Sequence, residues 1–223
     1  MPIHLRPTAP IAPDAILVGD PGRALLLAQE LLEQPKMSNH ARGLWGYFGT
    51  GQAGRALTVQ STGIGGPSAA LVLTDLGELG VRRAVRIGTC TAVGAALELG
   101  ELLLVGEAIA TGASAGAFGA RPGEAVLPDA GLTDCLGTEL GDRGGVPVAS
   151  VDSHPGDATP PAGALALDMQ TAPLLARARS LGIAAAAVLI ASERSGGTAA
   201  LEKDELEKRE RLAGRAVAAV LSA

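Results

Sequence analysis

The chain has 223 residues, 47% of them apolar and only 2% aromatic, enough for one medium-sized domain whose core is built from Ala, Leu, Val and Ile. A formal net charge of −5 argues against a general nucleic-acid surface, because such surfaces concentrate positive charge to displace counterions. Cys90 and Cys135 are the two cysteines; they cannot form a disulfide framework, and neither sits in a spacing typical of metal ligands.

The opening stretch MPIHLRPTAP lacks the basic-then-apolar layout of a signal peptide. No apolar run approaches the roughly 18 residues of a membrane span. The expectation is a cytoplasmic protein with no membrane partner.

Ala15 to Val18 reads as a short buried strand ending at Gly19-Asp20-Pro21. After it, Ala24, Leu25, Leu27, Ala28, Leu31 and Leu32 recur at helical spacing. Trp45 to Gln60 reads as two strands joined across Gly49-Thr50-Gly51-Gln52-Ala53-Gly54. That join is formally GxGxxG, but a dinucleotide fingerprint requires a helix to follow, and here a strand does.

Thr62 to Ser68 opens a helix running to about Leu79, with Pro67 near its first turn, where a missing N–H costs nothing. Val85 to Gly88, Leu102 to Val105, Val146 to Val151 and Ala184 to Ala191 read as strands, Met169 to Leu181 and Leu201 to Leu221 as helices. The segment 111–128 is rich in Gly, Ala and Ser and suggests no element. Strands alternating with helices predict an α/β single-domain fold over residues 1–223, a three-layer arrangement with a central mixed sheet flanked by helices.

Two segments carry chemistry. Gly19-Asp20-Pro21-Gly22-Arg23 offers backbone N–H groups, a helix start and a guanidinium, which suits a phosphate but equally suits an ordinary tight turn. Arg86 lies inside the apolar run Ala84-Val85-Arg86-Ile87-Gly88-Thr89. A buried arginine there must bind an anion or form an ion pair, for which Asp75 and Glu78 on the preceding helix are the candidates.

Those two segments, with Arg42-Gly43-Leu44-Trp45-Gly46-Tyr47, Ser61 to Ser68 and Arg86 to Cys90 in order, resemble the bacterial purine nucleoside phosphorylase and uridine phosphorylase family. The resemblance implies a pentosyltransferase that splits a nucleoside with inorganic phosphate as co-substrate, without metal or other cofactor. It implies phosphate ligands Gly19, Arg23, Arg86 and Thr89, with Arg42 reaching in from a neighbouring subunit. His4 would contact the ribose from that neighbour, so a dimer is the catalytic unit, three dimers forming a homohexamer. Outside the resemblance, His4 reads as a solvated residue.

On the ribose side the resemblance places Ile64 and Met169 as lining, which as sequence alone are compatible with ordinary core, and Gln170 where the family has a glutamate for the sugar hydroxyls. An amide lacks the charge that makes such bonds roughly twice as strong. On the base side it places Cys90, Thr91, His154 and Glu193. Thr91 replaces a glycine, His154 stands where many members carry an aromatic, and Glu193 occupies the position of the purine proton donor. Glu193 with Arg194 otherwise reads as an exposed charge pair. Gly156-Asp157-Ala158 offers neither residue of the Gln-x-Arg pair by which uridine-specific members read the pyrimidine, which favours a purine.

Phosphorolysis of a purine nucleoside is therefore expected, catalysed by Arg86 and Glu193. The competing readings are a uridine phosphorylase or hydrolytic nucleosidase of the same superfamily, and a non-catalytic nucleoside- or phosphate-binding homologue motivated by Thr91, Gln170 and Glu193. Arg86→Ala is expected to raise the phosphate requirement while leaving the fold intact.

Overall fold

Strand β1 (Asp14–Val18) is buried at all five positions, as required of a strand covered on both faces. Its side chains alternate between two cores: Ala15 and Leu17 belong to one, Ile16 and Val18 to the other. The computed structural model describes residues 2–141, 144–197 and 199–223, and β1 lies near the middle of its sheet.

Helix α1 (Pro21–Leu31) follows, started by Asp20, whose carboxylate accepts from the Arg23 backbone N–H at 2.8 Å. Asp20→Ala should lower stability by about 1 kcal/mol, the usual cost of losing an N-cap, read as a reduced midpoint in urea unfolding. Strands β2 (Glu33–Asn39), β3 (Gly46–Thr50) and β4 (Ala56–Ser61) form an antiparallel run, and β4 then pairs with β1 in parallel. The GxGxxG segment is indeed the β3–β4 connection.

Helix α2 (Gly65–Glu78) leads to β5 (Arg83–Ala92), β6 (Leu102–Ala110), the short α3 (Ala113–Gly116) and β7 (Ala125–Val126). Helix α4 (Ala130–Leu140), β8 (Val146–Ser150), β9 (Ala166–Asp168), α5 (Thr171–Leu181), β10 (Ala184–Arg194) and α6 (Lys203–Ser222) complete the chain. The sheet is mixed, and β5, β10, β6, β8 and β9 close on one another, since β10 pairs with both β5 and β6. Helices α2 and α5 cover one face, burying Leu73, Leu76 and Leu174. Helices α1, α4 and α6 cover the other with Leu27, Leu136 and Val217.

Several elements differ from the sequence reading, among them α3 and β7, which fall inside the segment 111–128. β2 is mostly exposed and contains Pro35; it is tolerated as an edge strand, where a missing N–H breaks no ladder. α4 carries two glycines but is fixed at both ends, by Asp129 accepting from Leu132 N–H and by Gly141 in the left-handed conformation. α5 starts at Thr171 instead of Met169, because Ala166–Asp168 is taken into β9 and Gln170 becomes the residue before the helix.

Candidate functional site

Val18, Ser61 and Ile87 stand level with one another in the parallel strands β1, β4 and β5. Crevices outside the carboxyl ends of such strands are where open α/β sheets bind ligands. Here a pocket of about 570 Å³ opens between Gly19 to Arg23, Gly63 to Gly65, Gly88 with Thr89, and the Asp168 to Gln170 junction, with Arg86 in its lining.

Arg86 is 5% exposed and held along its whole fork. Its Nε donates to Thr171 Oγ1 at 3.2 Å, Nη1 to Gln170 Oε1 at 2.6 Å and Nη2 to Asp168 Oδ2 at 3.0 Å. Burial pushes its pKa down from the ordinary arginine value, and Asp168 opposes that shift, while the charge of Arg23 adds to it. A Cβ at Gly88 would come within 2.4 Å of Arg86 Nη2, so the glycine makes the room in which the guanidinium folds back over its own strand.

The ion-pair partner is thus Asp168, not Asp75 or Glu78. Asp75 faces elsewhere, accepting from the backbone N–H groups of Ile3, His4 and Leu5 at 3.2, 2.6 and 2.7 Å. It ties the N-terminal arm to α2. Asp168 is 1% exposed and also accepts from Ser150 Oγ, Thr171 Oγ1 and the backbone of Gln170 and Thr171. A carboxylate so placed is satisfied by hydrogen bonds on every side.

Arg23 enters from the first turn of α1, its Nε donating to Glu210 Oε1 of α6 at 2.5 Å. Burial raises the Glu210 pKa from its ordinary value, against the pull of Arg23. The backbone N–H of Arg23 is already used by Asp20, so the turn presents a guanidinium more than a set of free amides.

Gln170 bridges the site. Its oxygen accepts from Arg86 and its nitrogen donates to Gly63 O at 2.7 Å and Gly65 O at 3.3 Å. A glutamate could not make the second pair of contacts, having no donor when ionised. The amide therefore latches the loop before α2 to the buried arginine.

The pocket brings together Gly19, Arg23, Ile64, Arg86, Thr89, Met169 and Gln170. Ile64 is 85% exposed, too open for an ordinary core residue. The other candidates lie outside this lining. Cys90 is buried, its thiol pKa pushed up by burial and its Sγ directed to Ile190 O. Thr91 is buried between β9 and β10, level with Leu167 and Glu193. His154 is exposed and its Nδ1 accepts from Gly156 N–H, although the adjacent Pro155 does line the pocket.

Glu193 is half-buried just after a bulge in β10. Arg194 turns away from it, donating to Gly94 O, so the two do not form the charge pair that their adjacency suggests. Arg42 is exposed in a turn with φ of 60°, and the His4 side chain does not line this pocket.

Two residues of the site escaped sequence reasoning, Asp168 and Glu210. Each carried a signal: Asp168 interrupts the apolar stretch Ala164 to Met169, and Glu210 stands at helical spacing with Ala213 and Val217, on the apolar face of α6. No cluster of His, Cys, Asp and Glu among the described residues is arranged to hold a metal ion, and no described helix is long and apolar enough to cross a membrane.

The family described as Phosphorylase superfamily matches residues 13–223. Among curated relatives, a DeoD-type purine nucleoside phosphorylase of Oceanobacillus iheyensis is 42% identical over 84 residues, 37% of this chain and 35% of that protein. One of Clostridium beijerinckii is 34% identical over 106 residues, 47% and 44% of the two chains. The matched segments thus span less than half the length of these relatives. A uridine phosphorylase structure from Vibrio fischeri superposes with a TM-score of 0.81 at 22% identity, covering 95% of this chain and 92% of that one. A purine nucleoside phosphorylase of Toxoplasma gondii in complex with immucillin-H gives 0.81 at 20% identity, covering 94% and 90%. At these identities the likeness establishes the fold.

Proposed function

The chain belongs to the phosphorylase superfamily, and we propose that within it this protein is a nucleoside phosphorylase acting on purine nucleosides. The observation that carries the reading is the convergence of Arg23, Arg86 and Thr89 on one pocket at the carboxyl ends of parallel strands. Guanidinium forks match phosphate oxygens in pairs, which makes arginine the residue suited to hold a phosphate dianion.

In this reading a phosphate oxygen held by Arg23, Arg86 and Thr89 attacks C1′ of the nucleoside. The C1′–N bond breaks with its electron pair going to the base, and Glu193 supplies the proton the leaving purine needs. The products are ribose 1-phosphate and free base. Ile64 and Met169 flank the sugar, and Cys90, Thr91 and His154 lie on the base side. Inorganic phosphate is a co-substrate, and no cofactor takes part.

Arg42 and His4, both away from this chain's own pocket, serve the site of a second copy. The dimer is then the catalytic unit of a cytoplasmic enzyme, assembled as a trimer of dimers.

The test is a panel of inosine, guanosine, adenosine and uridine with phosphate, followed by release of free base. Phosphate-dependent release from the purine nucleosides is expected. Release without phosphate would make the protein a hydrolase, and binding without any turnover would make it a non-catalytic homologue.

A further inference from the structure

We propose that Glu210 of α6 is a positioning residue for the phosphate-binding site, acting through Arg23. The inference rests on the phosphorylase reading and extends it to a helix that contributes nothing to the pocket lining itself.

Glu210 is 5% exposed, and its side chain meets that of Arg23, 11% exposed, at 2.5 Å through Nε. A bond at Nε fixes the plane of a guanidinium and leaves the four Nη hydrogens as its remaining donors. Among the described residues neither Nη1 nor Nη2 of Arg23 has a protein partner, while Arg23 lines the pocket. The donors a phosphate would need are therefore those the carboxylate leaves over.

A plain helix-docking role does not account for this pair. The same two helices are already joined at their surface by Glu30 of α1, which receives Arg211 at 2.7 Å and Arg215 at 2.6 Å. Glu210 instead takes a place on the apolar face of α6, beside Ala213 and Val217, where an ionised carboxylate is unfavourable unless paired. Its pairing partner is one of the two arginines that line the pocket. An unpaired Arg23, with a long side chain and many rotamers, would lose that entropy on each binding event; held by Glu210 it has lost it already.

The test titrates inorganic phosphate calorimetrically into the intact protein and into Glu210 variants, alongside phosphate-saturation kinetics with the nucleoside that the panel identifies. Glu210→Ala should weaken phosphate binding about tenfold and raise the phosphate KM alike, with kcat at saturating phosphate falling less and the nucleoside KM little moved. Glu210→Gln, which keeps an acceptor oxygen, should stay within about threefold of the parent, since the orienting bond survives at reduced strength. If the alanine variant does not fold, Glu210→Met removes the acceptor while filling the space, and should weaken phosphate binding equally.

Unchanged phosphate affinity in Glu210→Ala or Glu210→Met would overturn the proposal, as would a glutamine variant as weak as alanine. So would equal losses for phosphate and nucleoside. Parent protein that binds phosphate without turning over any nucleoside would defeat the phosphorylase reading alone, since the binding arm still decides the role of Glu210. Parent protein that binds no phosphate would defeat both.

Discussion

Arg86→Ala should abolish phosphate saturation over any practical concentration range and also cost the fold about 3 kcal/mol, the lower end of the penalty for breaking a buried pair. The two losses have one cause. Arg86 neutralises Asp168, which is 1% exposed, and removing the guanidinium strands that charge in the interior. Ser150, Gln170 and Thr171 still donate to Asp168, which is why the lower end applies. Urea unfolding reads the stability and phosphate titration reads the site. A variant with the parent's phosphate affinity would remove Arg86 from the ligand set, and one with the parent's stability would show that the remaining donors carry Asp168 by themselves. The expectation from sequence alone, of a lost ligand in an intact fold, is revised because Arg86 is the ion-pair partner of Asp168, a carboxylate buried at the end of β9.

Arg86 in an apolar run announces a buried cation, but its partner lies 82 residues further along the chain, and local spacing pointed to α2. The alternation of β1, β5 and β10 between two cores follows directly from runs of Ala, Val, Leu and Ile. β2 could not be read in the same way. Its sequence, Glu33 to Asn39, is polar and holds a proline, and it becomes a strand only because the edge of β3 is available to pair with it. α4 likewise depends on its caps and on packing against α6 more than on helix formers. Of the candidate residues, Gly19, Arg23 and Arg86 were legible because a turn after a strand and an arginine in an apolar run are local features. Cys90, Thr91, His154 and Glu193 lie outside the pocket lining, around loops and a bulge, and where such residues fall is a property of tertiary structure.

Glu193→Ala should lower kcat for a purine nucleoside about 100-fold, the lower range for loss of a general acid, while leaving phosphate affinity close to the parent's. Glu193 does not line the pocket in this chain, yet it sits on β10 level with Thr91, two residues beyond the pocket-lining Thr89 on β5. The bulge between Ala191 and Glu193 re-aims the side chain relative to a regular strand. No described residue forms a hydrogen bond or ion pair with its carboxylate, and Arg194 is engaged at Gly94. An uncommitted carboxyl group at that end of the sheet is available to a departing base. The decisive comparison uses two leaving groups. A purine needs a proton as the C1′–N bond breaks, whereas 4-nitrophenol departs as a stable anion, so phosphorolysis of a nitrophenyl riboside should be nearly indifferent to Glu193→Ala. Equal losses on both substrates would show that Glu193 shapes the pocket and does not donate a proton.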